Sequence, residues 1–221
     1  MTERTAQPSS ELDRAAEEAG FYHEAALNAA WSGSRIAVGA LSFLYGAFAF
    51  AYFYLRSINS EGRWQGSGYH APSMAMGTII VALVVVSAVV QYVGLQRIKG
   101  GAKGAWQAAA AVALLLGLVA VALQIIELLN LPFAPGSSGF SSVFTGFYPV
   151  ILVSWFGAMI WLEILVMRVR ALPGISFVEQ PPTYAEAFAV QRFQASLSAF
   201  TLIWNYLAVV TIFFWVLFYL L

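Results

Sequence analysis

The chain has 221 residues, of which 60% are hydrophobic and only 10% charged, against roughly 25% charged in an ordinary soluble domain. That is too little charge to cover a water-facing surface, so the composition excludes a soluble fold. The formal net charge is zero and there are no cysteines. Nucleic acid therefore has no bulk field to respond to, and disulfides and thiolate metal sites are excluded.

Residues 1–34 precede the first apolar stretch. They contain no apolar core of a secretory signal, and acids outnumber bases in them. Residues 10–30 are expected to form a separate short amphipathic helix. Ser10 would cap it, with Glu11 and Asp13 in the first turn. Leu12, Ala15, Ala19, Tyr22 and Ala26 recur on one helical face. The acidic character of this segment argues for packing on the protein's own cytoplasmic side rather than on anionic lipid.

A bilayer core takes about 20 consecutive apolar residues. Five stretches qualify, at about 35–55, 73–96, 105–129, 144–169 and 196–221, and together they make a transmembrane domain over 35–221. Runs such as Ile79-Ile-Val-Ala-Leu-Val-Val-Val86 do not alternate, so helices rather than barrel strands are expected. The fold class is therefore all-α and polytopic, with five transmembrane helices. Nine bases (Arg4, Arg14, Arg35, Arg97, Lys99, Lys103, Arg168, Arg170, Arg192) fall on one side and two, Arg56 and Arg63, on the other. The positive-inside bias puts the N-terminus in the cytoplasm and the C-terminus outside.

Small residues allow close helix approach in lipid. Ser42, Gly46, Ala47 and Ala51 in span one, and Ala108 to Ala111 and Gly117 in span three, are the candidates. Tyr52, Tyr54, Trp64 and Tyr69 read as an aromatic anchoring belt at the outer face. The 131–142 segment is a turn-rich external loop, and 171–185, with Pro173, Pro181 and Pro182, a cytoplasmic one. Pro149 removes the donor for the Thr145 carbonyl and should kink span four.

Ionisable groups inside a membrane are costly and are functional candidates for that reason. Glu127 lies near the outer end of span three, one turn after Gln124, and Glu163 lies in span four, near Arg168. The bland alternatives are a hydrated interfacial Glu127 and a Glu163 paired with a nearby arginine. His23 and His70 both fall outside the spans, so no buried imidazole is at hand for haem or copper. No row of buried carboxylates joins the two faces, which disfavours a proton or ion transporter. No residue is assigned as catalytic, cofactor-binding or metal-binding.

Four stretches carry a family resemblance. Ala51-Tyr-Phe-Tyr-Leu-Arg56 resembles the Ala-Tyr-Phe-x-Leu-Arg ending of a helix in subunit III of haem–copper oxidases, the cytochrome c oxidase subunit III family. Gly117, Gln124 and Glu127 are similar to that family's Gly…Gln-x-x-Glu helix. Thr145-Gly-Phe147, followed by Ile160-Trp-Leu162, resembles its Thr-Gly-Phe-His segment and helix. Ile203-Trp-Asn-Tyr-Leu-Ala-Val-Val210 and Leu217-Phe-Tyr-Leu-Leu221 resemble its last helix. The order holds over about 185 residues, in the manner of the short five-helix bacterial form.

The departures are equally specific. Leu41 stands where many members carry a buried Glu. The family's Gly-Phe-His-Gly-Leu-His reads Gly146-Phe-Tyr-Pro-Val-Ile151, and the His and Asp of the last helix are Asn205 and Ala208. Roles that depend on those side chains are not carried over. The resemblance implies a non-catalytic subunit in a bacterial-type plasma membrane. It would pack on oxidase subunit I, with subunit II a further partner, and hold phospholipid while supporting aerobic electron transport and proton pumping. Haem and copper would belong to subunit I. Arg56, Gln124, Glu127 and Glu163 are the candidate lipid or subunit contacts. The alternatives are a subunit-III-like partner of a quinol oxidase or nitric oxide reductase, a small-molecule transporter using Pro149 and Glu163, and an assembly factor.

Overall fold

A computed structural model describes residues 7–59, 64–66, 71–172 and 184–221. The described residues form α1 (Gln7–Ile58), α2 (Met74–Lys99), α3 (Lys103–Leu129), α4 (Gly139–Ala171) and α5 (Tyr184–Trp215). A π turn, Val216–Leu220, continues α5. Each of the five helices is long and apolar enough to cross a membrane. The protein is thus an all-helical, multi-pass membrane protein. His70, Arg63, Tyr69 and the prolines at 173, 181 and 182 lie outside the described residues.

α1 is one continuous helix of 52 residues, about 78 Å long. The expected break before Arg35 is absent, and Ser10 lies inside the helix rather than capping a separate one. The shift from acidic to apolar composition marks a change of surroundings along one helix. Gly20 and Gly33 do not interrupt it, because a lone glycine costs a helix only about 1 kcal/mol.

The remaining boundaries have local causes. The Ser73 side chain accepts the Met76 N–H at 3.3 Å and caps α2. Between α2 and α3, Gly101 takes a φ of 86°, and the Ala102 N–H closes the turn on the Arg97 carbonyl at 3.1 Å. α4 opens with a reciprocal cap: the Ser141 N–H donates to Ser138 Oγ at 3.1 Å, and the Ser138 N–H to Ser141 Oγ at 2.8 Å. α4 then runs through Pro149, which lies on an exposed face, without interruption of the helix.

α5 is the most enclosed helix and packs on α1, α2 and α4. α3 packs on α2 and α4, while α1 lies at the edge against α4 and α5. α1 and α5 run parallel: His23 meets Phe188, and Ser42 bonds Tyr206. α2 and α3 approach closely around Gly94, where an added Cβ would lie 2.8 Å from Ala109 Cβ. Gly117 also faces the interior, toward Met159 and Trp204. Gly46, by contrast, faces open space, so within this chain it mediates no helix contact.

The aromatic residues expected as membrane anchors divide into two groups. Tyr54 is exposed, but Tyr52 and Trp64 are buried. Their rings pack edge to face 5.1 Å apart, and Trp64 also meets Phe140 of α4 at 5.8 Å. The Phe140 N–H donates to the Trp64 carbonyl at 3.1 Å, which pins the α1–α2 connection to the start of α4.

Candidate functional site

The buried stripe of α3 runs through Ala110, Ala113, Gly117, Ala120 and Gln124 to Glu127. This helical spacing carries Glu127 into the bundle along with its small neighbours. Glu127 is 6% exposed, so its side chain lies inside the bundle. Burying a carboxyl requires hydrogen-bond partners, and two other helices supply them. Tyr148 of α4 donates to Glu127 Oε2 at 2.7 Å. Tyr219 of the π turn donates to Oε1 at 2.6 Å. The two hydroxyls lie 2.7 Å from one another.

These three contacts make a closed triangle. Two phenols and a carboxylate carry two protons between them, and a proton on the carboxyl would give each of the three contacts its own donor. The cluster can therefore take up one more proton without losing a hydrogen bond.

Aromatic packing fixes the tyrosines. Tyr148 stacks on Phe144 with ring centroids 4.3 Å apart. Phe218, next to Tyr219, faces the other way into Phe144, Phe147, Phe214 and Tyr52. Gly77 of α2 lies against the Tyr219 ring, and an added Cβ would meet its Cζ at 2.5 Å. A cavity of about 90 Å3 reaches Glu127 past Ser73, Met76 and Asn130. A wider groove of about 550 Å3 lies between the end of α3 and α4, lined by Leu128, Phe133, Thr145 and Pro149 among others.

The other expected residues are distributed unevenly. Gln124 is buried one turn from Glu127, and its Oε1 has no hydrogen-bond partner among the described residues. Arg56 is exposed at the end of α1, where it donates to the Tyr52 hydroxyl at 3.2 Å and lies over that ring at 5.9 Å. Tyr52 in turn packs on Phe218, so Arg56 is linked to the cluster through two rings. Glu163 stands apart. It is exposed on α4, 15 residues and about 22 Å beyond Tyr148, and it forms no ion pair with Arg168. Pro149 and Glu163 thus do not meet in one site. Leu41 is half-buried and packs against the core.

Sequence reasoning did not find Tyr148 or Tyr219 as partners of Glu127. It also passed over a second polar seam. Trp204 Nε1 donates to Ser87 Oγ at 3.2 Å, and Ser87 Oγ donates to the Ala113 carbonyl at 3.0 Å. Gln91, one turn further along α2, is fully buried, and among the described residues neither amide atom is hydrogen-bonded. An amide within an otherwise apolar span was the available signal for it. Among the described residues no three His, Asp or Glu side chains are grouped to hold a metal.

No family model matches the chain, and no curated protein sequence matches it.

Proposed function

We propose that this chain is a non-catalytic, subunit-III-type component of a respiratory haem–copper oxidase in a bacterial-type plasma membrane. Its N-terminus would be cytoplasmic and its C-terminus external. It packs on the haem- and copper-bearing subunit I, with subunit II as a further neighbour, and holds phospholipid at its surface. In this role it supports proton-coupled electron transport to oxygen from outside the redox path.

One observation carries the reading. The stretches that resemble the family are far apart in sequence, yet one end of each lies near the Glu127 end of the bundle. Glu127 and Tyr219 lie in two of them, Tyr148 directly follows Thr145-Gly-Phe147, and the three share one hydrogen-bonded triangle. Tyr52 of the fourth packs on Phe218 at 6.0 Å. The departure at position 148 is also accommodated: where the family has a His, Tyr148 supplies a polar tip that reaches Glu127.

Purification from native membranes in mild detergent tests the proposal. The chain should copurify at stoichiometric amounts with a subunit whose optical spectrum shows haem. Migration alone, with no haem-bearing partner, sinks the reading. The spectrum and subunit composition would also tell a cytochrome c oxidase from a quinol oxidase or a nitric oxide reductase, and substoichiometric recovery would indicate an assembly factor.

A further inference from the structure

The triangle around Glu127 is one proton short. Its three oxygen–oxygen distances, 2.6, 2.7 and 2.7 Å, are all those of O–H···O hydrogen bonds. Each such bond needs a proton between its oxygens, and the two phenols supply two. With both aimed at the carboxyl, the Tyr148 and Tyr219 oxygens face each other at 2.7 Å with no proton between them, which is a repulsive contact. A proton on the carboxyl removes the conflict. The Glu127–Tyr219 bond then reverses, Tyr219 donates to Tyr148, and Tyr148 donates back to Oε2. The three bonds run round the ring in one sense and reinforce one another.

The surroundings offer a route to this carboxyl from one side. The cavity of about 90 Å3 that reaches Glu127 has room for several waters. Ser73 and Asn130 line it, and both are exposed, just before α2 and just after α3. Inward from Glu127, the buried stripe of α3 continues as Gln124, Ala120, Gly117, Ala113 and Ala110, none of them titratable. α2 brings Gly77 and Met76 to the cluster, which do not titrate either. From α1, Arg56 and Tyr52 approach through the Phe218 ring. Tyr45, deeper on α1, donates to Ser154 at 2.7 Å. The 131–138 loop carries no ionisable side chain, and Glu61, Arg63, Tyr69 and His70 lie outside the described residues. The cluster thus has no described continuation toward the opposite face.

We infer that Glu127, Tyr148 and Tyr219 form a proton-binding site that fills and empties from the membrane face where α2 begins. The step is transfer of one proton from a hydronium in the cavity to the Glu127 carboxylate, leaving water. Uptake ties α3, α4 and the end of α5 together and passes no charge across the bundle. A metal cation would have to break the short contacts, because each carboxyl oxygen already holds a phenol. The inference needs only the membrane setting and does not rest on the oxidase reading.

Infrared difference spectroscopy of the full chain in mild detergent, between alkaline and acid buffer, tests the site. On acidification the wild type should gain a carboxylic C=O band that Glu127→Gln lacks, beyond the bands of exposed acids that both share. Glu127→Gln keeps the shape and a partner for each phenol, so it reports on the proton rather than on the fold. Glu163→Gln and His70→Gln should keep the band. Identical spectra for the wild type and Glu127→Gln overturn the inference, as does loss of the band in His70→Gln alone. Loss of the band on adding sodium at constant pH assigns the site to a metal cation and overturns the proton. The band should also shift in D2O, and Met76→Trp, which fills the cavity, should slow that shift severalfold. Asn130→Trp, at an exposed position on the same cavity, serves if Met76→Trp does not fold. An unchanged rate overturns the route.

Discussion

Tyr219, in the π turn that continues α5, donates a hydrogen bond of 2.6 Å to Glu127, 92 residues earlier on α3. With Tyr148 it ties the last helix to α3 and α4 at a single carboxyl. A buried hydrogen bond to a charged or acidic group contributes about 1.5–3 kcal/mol. Tyr219→Phe and Tyr148→Phe should each destabilise the protein by an amount in that range, read as a lower melting temperature in detergent. The double variant should cost less than the sum, because the two hydroxyls also contact each other. Strict additivity would show that the triangle does not act as a unit.

The carboxyl itself can be tested by shape. Glu127→Gln keeps an acceptor oxygen and adds an N–H donor, so both tyrosines can retain a partner. Its stability should stay within about 1 kcal/mol of the wild type. Glu127→Leu fills the space but leaves the two hydroxyls only each other, so one buried O–H donor loses its acceptor, at about 1–3 kcal/mol. Equal melting temperatures for the two variants would mean that packing, not hydrogen bonding, holds this end of the bundle together.

These expectations show which parts of the molecule a reading of the chain could reach. The spans were legible because a bilayer imposes a length and a composition on each helix separately. Gln124 and Glu127 were legible because polar groups among apolar ones are costly wherever they sit. Tyr148 was read only as the loss of a histidine, since a replacement in sequence does not reveal that the new side chain reaches the same place. Tyr219 was hidden for another reason: its partner is a non-local neighbour, and hydropathy carries no register between helices. The continuity of α1 was missed because composition changes at the membrane surface, whereas a helix ends only where its hydrogen bonds stop. Gly77 and Gly94 were passed over for Gly46, which faces open space, because spacing alone does not say which helix face is covered.

Gln91 offers a prediction of the opposite sign. Its amide is fully buried on α2, and among the described residues neither atom has a hydrogen-bond partner. A buried polar group without a partner carries its full desolvation cost, about 1–3 kcal/mol. Gln91→Met removes that cost at nearly constant volume and should raise the melting temperature. Ser87→Ala, one turn away, should lower it by about 1 kcal/mol, because Ser87 joins Trp204 to the Ala113 carbonyl. A destabilised Gln91→Met would instead point to a structural role for the amide.

The glycines give the sharpest test of helix packing. At Gly46 an added methyl group meets nothing within 4 Å, so Gly46→Ala should be neutral or stabilising by up to about 1 kcal/mol through helix propensity. At Gly94 the new Cβ would lie 2.8 Å from Ala109 Cβ and 3.3 Å from the Trp106 ring. α2 and α3 would have to separate, at about 1–3 kcal/mol. At Gly77 the obstacle is the Tyr219 ring, with Cζ 2.5 Å from the added methyl. That ring cannot move aside without pulling its hydroxyl from Glu127. Gly77→Ala should therefore lose the same interaction as Tyr219→Phe, and the two changes combined should cost less than their sum. Additivity at this pair, with non-additivity at Tyr148 and Tyr219, would place the Gly77 effect in the α2 backbone rather than in the Glu127 cluster.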